Sequence, residues 1–504
     1  MLFNSFVFIG AFLPLCLLVY YATGKAAGFG PVQKAILVLF SLFFYGFWKP
    51  IYLGLLFASL VVNYGAFKWM RAAPDRGRTI MVLGIAFNLC LLGYFKYAGF
   101  FAESLSLLPG LEFPALNIAL PLAISFFTFQ QIAFLVDARK DQTFDYSIID
   151  YSFFVTFFPQ LIAGPIVHHK EIIPQYASLA ERSNILRNLH IGLAVFTLGL
   201  AKKVLLADSF AQYATPVFAA ADGGASIGFQ DAWTGALAYT LQLYFDFSGY
   251  SEMAIGLAAM FGLKLPVNFS MPYKARNISD FWRRWHITLS EFLRDYLYIP
   301  LGGNRKGRAR RYLNLFITML LGGLWHGAGW TFVFWGGLHG AYLALNQATN
   351  DFAPRLAEAV RRAPLLPYVL TFGAVVYAWV FFRAETFGGA LAIVAAMSDV
   401  PSYAEPAAIA PAIRSGLAAD LPGGAVLHLA IGLAIVFFAP STLEIAADND
   451  TALKRGAVYQ PPAGPRFALA RAVLANPVVI AALFILSLYQ VLLAGAGEFL
   501  YFNF

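Results

Sequence analysis

Residues 313–345 read LNLFITMLLGGLWHGAGWTFVFWGGLHGAYLAL. The run holds no Asp, Glu, Lys or Arg, and it divides into two apolar pieces, 313–330 and 331–347. Each piece is about the length that crosses a bilayer. A lipid-embedded segment must satisfy its own backbone hydrogen bonds, so these pieces read as helices. Near the middle stands Gly322-Gly323-Leu324-Trp325-His326-Gly327-Ala328-Gly329-Trp330. An ionisable side chain at membrane depth marks a functional site or a water-filled cavity by default. The flanking glycines allow close approach of another backbone or of a substrate. A neutral imidazole there can act as a general base. The alternative is a packing histidine that donates to a backbone carbonyl.

The rest of the chain extends the same reading. Of its 504 residues, 60% are hydrophobic and 12% charged, too few charges to coat a soluble domain of that size. Candidate spans are 2–21, 34–48, 51–67, 79–97, 117–136, 151–167, 189–207, 231–247, 250–263, 313–330, 331–347, 367–383, 425–440 and 472–494. The expected fold is all-α: one integral membrane domain over 1–504, a polytopic helical bundle with roughly eleven or twelve crossings. The pieces 151–167 and 250–263 are short and are expected to be re-entrant or tilted. The opening stretch 2–21 lacks a basic start and a cleavage site, so it reads as a first span rather than a signal peptide. Cys16 and Cys90 both fall in apolar runs, which argues against a disulfide framework or a metal site.

The net charge of +8 sets topology through cytoplasmic Lys and Arg. Its expected partners are anionic lipid headgroups or an anionic soluble substrate, and not nucleic acid. Lys25, and Lys68 with Arg71, Arg76 and Arg78, put their loops on the cytoplasmic side. Loop 398–424 (Asp399, Glu405, Asp420, Arg414) suits the outside, and loop 441–471 (Lys454, Arg455, Arg466, Arg471) the inside. Both termini then fall outside. No inverted repeat supports a transporter reading.

The polar segment 264–312 breaks the apolar pattern. It holds eleven Lys and Arg residues, among them Arg305, Lys306, Arg308, Arg310 and Arg311, against Asp280, Glu291 and Asp295. It is a cytoplasmic positive-inside loop, a docking surface for an anionic donor, or both. Asn277 and Asp280 suit a helix start. Trp282, Trp285, Leu289, Phe292 and Tyr296 come after them at spacings of three and four, which predicts an amphipathic, interfacial helix with an aromatic stripe. Asp280 and Arg284 can pair one turn apart. Pro300, Gly302 and Gly303 end the helix. His286 borders the stripe and by itself reads as a satisfied interfacial residue.

Other polar groups at membrane level are His339, read as a packing or supporting residue; His168 and His169, read as loop-edge residues; and Gln130, Gln131 and Gln160, which could line a tunnel. No carboxylate or cysteine stands at metal-ligand spacing near these histidines, so no metal is expected. Asp246 and Glu252 sit in YFDFSGYSE at 244–252 and are expected to be buried and hydrogen-bonded, in a structural network or against substrate.

FWRRWHITLS at 281–290, with the Gly322 to Trp330 motif downstream, resembles the two signature segments of the membrane-bound O-acyltransferase family. The flanking YFDFSGYSE, NFSMPY at 268–273, YIPLGGN at 298–304 and the aromatic tail 499–504 are similar to the membrane subunit of bacterial alginate O-acetylation. The resemblance covers nearly the whole chain and is weakest in loops 398–424 and 441–471. It implies a helical bundle with a central tunnel pinched near the catalytic histidine, which His326 matches. His286 matches the second signature position, about forty residues upstream.

The resemblance implies a bacterial inner-membrane O-acyltransferase for an exported polysaccharide such as alginate. Its donor would be cytoplasmic acetyl-CoA or a related thioester, with no permanently bound cofactor. An extracytoplasmic hydrolase-like partner would complete the transfer. His326 would take the acceptor proton and His286 would orient the donor or stabilise developing charge. The candidate substrate contacts are Trp285, Trp325, Arg283, Arg284, Asp246 and Asn304. A transporter, or a scaffold in a polysaccharide-export complex, is the alternative class. Neither explains the joint presence of the two segments.

Overall fold

The computed structural model describes residues 1–27, 30–111, 113–114, 116, 118–177, 184–400, 424–445, 472–497 and 499–503. Every regular element among them is helical. Five helical runs are long and apolar enough to cross a bilayer: Ile51–Ala72, Pro74–Ser106, Ile185–Asp222, Leu366–Arg383 and Pro477–Ala494. Shorter apolar helices accompany them at Phe8–Gly24, Pro31–Gly46, Phe387–Ser398 and Gly424–Phe438. The molecule is an all-helical, multi-pass membrane protein. The run at 313–345 forms the helices Arg308–His326 and Trp330–Phe352, parted at Gly327-Ala328-Gly329. Apart from their flanks, loops 398–424 and 441–471 lie outside the described residues.

The centre of the bundle is the helix Phe229–Met260, 32 residues long and buried along almost its whole length. The sequence reading divided it into 231–247 and a re-entrant 250–263, and the structure corrects this to one continuous helix. The two acids of this helix, Asp246 and Glu252, face lysines of the neighbouring helical run. Lys203 Nζ lies 2.7 Å from Asp246 Oδ1, and Lys202 Nζ lies 2.6 Å from Glu252 Oε1. Both lysines stand on a π-helical turn, Lys202–Ala207, inside the run Ile185–Asp222, which is therefore longer than the expected 189–207. Paired charges let a polar patch stay helical at membrane depth.

Glycines set how closely these two helices approach. A Cβ on Gly256 would fall 2.6 Å from the Gly192 carbonyl oxygen, and one on Gly249 would fall 2.7 Å from that of Gly199. Backbone thus meets backbone, the usual way of packing helices where lipid offers no hydrophobic drive. The segment expected to be re-entrant near 151–167 is broken into Ile148–Thr156 and Phe158–Leu161. Gln131 and Gln160 hold helices together. Gln131 Nε2 donates to Ser59 Oγ (2.9 Å) and its Oε1 accepts from Tyr151 (2.9 Å), while Gln160 Nε2 donates to the Phe154 carbonyl (2.5 Å). Asn4 Nδ2 donates to the Gly497 carbonyl (3.0 Å), so the two ends of the described chain meet on one side.

Candidate active site

His326 is the last residue of the helix Arg308–His326. Its place is set by a tight crossing with Trp330–Phe352. A Cβ on Gly323 would fall 2.3 Å from the Phe332 carbonyl oxygen, and one on Gly327 would fall 2.2 Å from the Phe332 ring. The glycines read from the sequence as permitting close approach do so here, against the next helix. The His326 ring is walled by Trp325, Trp335 and Phe382, with centroids 5.0, 5.2 and 5.3 Å away. Its Nδ1 is buried and has no hydrogen-bond partner among the described residues.

His286 reaches the same place by a break in its own helix. The aromatic spacing predicted one continuous amphipathic helix, and the structure corrects this to Ile278–Trp282, a turn, and Ile287–Leu293. His286 lies at the break in the left-handed region (φ 43°, ψ 54°), which for a non-glycine residue stores roughly 1–3 kcal/mol of strain. The segment beginning at Asn268 enforces it. Ser270 N–H donates to the Arg284 carbonyl and Ile287 N–H to the Asn268 carbonyl, both at 2.9 Å. Asn268 Oδ1 accepts from Thr288 Oγ1 at 3.0 Å and lies 3.1 Å from His286 Nδ1. An amide oxygen only accepts, so Nδ1 carries the imidazole proton. Nε2 then presents a lone pair, and it is buried without a partner among the described residues.

The two rings lie 6.4 Å apart. Exposure is 0% at His286 and 3% at His326, so the pair sits in a nearly water-free environment. The Tyr501 ring closes the cluster, 5.8 Å from His326 and 6.4 Å from His286. Behind Tyr501 lies a cavity of about 270 Å³ lined by Trp48, Lys49, Tyr52, Ser125 and Phe126 among others. On another side Phe292, Phe129 and Trp325 stack in series, at 4.3 and 5.0 Å. An unpaired imidazole nitrogen in such surroundings can take and return a proton, and a dry cleft strengthens any charge interaction made within it.

Of the six expected substrate contacts, Trp325 lies beside the pair. Trp285 is buried in an aromatic wall against Trp379 (4.9 Å) and Phe269 (5.1 Å). Asp246 is held by Lys203 and by the Leu500 N–H (3.1 Å), which ties the aromatic tail to the central helix. Arg284 pairs with Asp280 at 2.9 Å, as its spacing predicted. Arg283 and Asn304 are exposed, on the 281–290 segment and on the turn after Tyr298. His339 accepts from Trp282 Nε1 (3.2 Å) and packs on Trp335 (4.8 Å), the supporting position expected of it. His169 is buried rather than at a loop edge. It and His168 flank Asp137, at 3.6 and 3.9 Å, a carboxylate brought from another helix and therefore absent from any sequence spacing.

Sequence reasoning also missed Lys96, a buried ammonium beside the Trp325 and His326 carbonyls. A lone lysine in the apolar run 79–97 was the available signal. Asn268 and Tyr501 were visible only as parts of longer motifs.

The bundle thus buries an imidazole pair in a closed, aromatic-walled site. Comparison with known proteins makes that more particular. The profile of the membrane-bound O-acyltransferase family matches residues 122–384, a span that contains both histidines. A peptidoglycan O-acetyltransferase of Helicobacter pylori is 45% identical over 424 residues, 79% of this chain and 80% of that protein. Probable alginate O-acetylases AlgI are similarly close. The one from Azotobacter vinelandii is 43% identical over 79% of this chain and 78% of its own length, and that from Pseudomonas aeruginosa 44% over 76% and 72%. The chain belongs to the membrane-bound O-acyltransferase family, and it is an O-acyltransferase.

Proposed function

We propose that this enzyme takes an acetyl group from cytoplasmic acetyl-CoA, or a related thioester, and passes it across the inner membrane for O-acetylation of an exported polysaccharide. The observation that carries the reading is the buried pair His286 and His326, each with a ring nitrogen left without a partner among the described residues. Relatives named for peptidoglycan and for alginate support a cell-envelope or exported glycan as the acceptor class. The exposed Arg305, Lys306 and Arg310 meet the phosphates of the donor. His326 accepts the proton of the acceptor hydroxyl as its oxygen bonds to the thioester carbonyl carbon. The carbon–sulfur bond then breaks, and the thiolate takes that proton from the imidazolium. His286, its Nδ1–H fixed on Asn268, orients the donor or the acceptor through Nε2. Trp325 lines the acyl path. An extracytoplasmic hydrolase-like partner, whose serine receives the acetyl group first, completes the delivery.

The test is the acetyl content of the exported polymer in cells carrying His326→Ala or His286→Ala, with membrane abundance of each variant measured in parallel. His326→Ala is expected to lower acetylation by at least about 10²-fold at normal abundance, the span of general-base contributions. Normal acetylation in that variant would refute the assignment.

A further inference from the structure

The helix Arg308–His326 ends inside the protein, and a helix end leaves its last four carbonyls without intrahelical partners. At membrane depth such groups must be satisfied from within the protein. Here all four are. Gly323 O accepts from the Gly327 N–H (3.3 Å). Leu324 O accepts from the Tyr97 hydroxyl (2.9 Å). Trp325 O and His326 O both accept from Lys96 Nζ, at 2.5 and 3.2 Å. Lys96 Nζ also reaches Ser125 Oγ (3.3 Å), so the three hydrogen-bond partners of this buried side chain among the described residues are neutral oxygens. A cation at a helix C-terminus also interacts favourably with the macrodipole. Two consecutive residues thus close one helix end, and both stand on a π-helical turn, Gly93–Tyr97, that interrupts the run Pro74–Ser106. Such turns recur at functional sites because they re-aim side chains.

We propose that Lys96 and Tyr97 form a side-chain cap that sets the position of His326, and that Lys96 is a positioning residue of acyl transfer. The inference rests on reading His326 as the residue that handles the acceptor proton. The cap acts on backbone, so it fixes the height and tilt of the imidazole without touching substrate. A histidine at a helix end without it would fray with the last turn. Displacement of a reacting group by about 1 Å lowers rate by as much as about 10²-fold.

The experiment uses membrane vesicles containing the full-length protein, supplied with labelled acetyl-CoA and the producing strain's own polymer. Acetyl incorporation against donor concentration gives apparent Vmax and KM for Lys96→Met, Lys96→Arg, Tyr97→Phe and His326→Ala. Lys96→Met is expected to lower Vmax by about 10- to 100-fold with KM within about twofold, and Lys96→Arg to recover most of the loss. Lys96→Met at wild-type Vmax overturns the proposal, as does a fall in which KM rises and Vmax holds. If Lys96→Met does not accumulate in the membrane, Tyr97→Phe, which removes one hydroxyl, decides. A severalfold loss of Vmax at unchanged KM supports the cap, and full Vmax overturns it. His326→Ala separates the two readings. Full activity there refutes the role of His326 itself, whereas an inactive His326→Ala beside a wild-type Lys96→Met refutes the cap alone.

Discussion

Asn268→Ala removes the side-chain contacts that help to hold His286 in its left-handed conformation, and leaves the backbone bonds of Ile287 N–H to residue 268 and of Ser270 N–H to Arg284 in place. The amide oxygen accepts from Thr288 Oγ1 at 3.0 Å and Thr288 N at 3.3 Å, and meets His286 Nδ1 at 3.1 Å, while Nδ2 donates to Ser251 Oγ at 3.2 Å. Interhelical hydrogen bonds inside membrane proteins average about 0.6 kcal/mol each, so these contacts together contribute about 2 kcal/mol. Against this, loosening His286 from φ 43° returns up to roughly 1–3 kcal/mol of strain. The two nearly cancel, and the variant is expected to melt within a few degrees of the parent. Activity does not share in that cancellation, because a released His286 loses both its fixed proton and its fixed direction. The expected kcat is lower by about 10²-fold, the scale of a reacting group misplaced by about 1 Å. Acetyl incorporation in vesicles, with a thermal shift read by fluorescence size-exclusion, checks both numbers. Asn268→Asp keeps an accepting oxygen and is expected to retain more activity than Asn268→Ala. An Asn268→Ala enzyme of normal kcat, or one whose loss tracks its abundance alone, refutes the reasoning.

Gly256→Leu drives a side chain into the Gly192 carbonyl oxygen, 2.6 Å from the would-be Cβ, and is expected to prevent accumulation of folded protein in the membrane, as read by western blot and size-exclusion. Lys203→Met strands Asp246, and Asp208 (2.7 Å), without their cation and is expected to destabilise by about 3–5 kcal/mol, with Lys203→Met/Asp246→Asn partly restoring the melting temperature. Neutralising Arg305, Lys306 and Arg310 together is expected to raise the KM for acetyl-CoA severalfold at low salt and to flatten its salt dependence. Arg311, tied to Asp351 alongside Tyr312, is expected instead to affect stability when changed, because its guanidinium is already engaged.

Features that rest on composition were legible in the sequence. Long uncharged apolar runs read as spans, and the glycines around His326 announced a close crossing because no other residue permits one. The His286 break was not legible. Trp282, Trp285, Leu289 and Phe292 keep helical spacing on both sides of it, and the cause of the break is hydrogen bonding to Asn268 and Ser270, which spacing along one segment cannot express. Asp246 and Glu252 read as buried and hydrogen-bonded, and they are, but Lys203 and Lys202, which pair with them, stand on a neighbouring run some forty to fifty residues away and were not legible as their partners. Lys96 was hidden by its ordinariness, since a lysine near the end of an apolar run usually reaches for the headgroups, and its carbonyl partners lie 229 and 230 residues downstream.

The anchoring of the aromatic tail bears on biogenesis. Leu500 N–H rests on Asp246, and Tyr501 packs on both histidines, so the cleft lacks a wall until the segment around 499–501 has been translated and inserted. The contact between Leu500 and Asp246 spans 254 residues, and pairings that distant form late. A nascent chain that already holds both histidines in its helices still lacks the Tyr501 wall. Variants truncated before residue 499 are expected to lack the Tyr501 wall of the cleft and to lose acyl transfer, which membrane vesicles carrying them would check.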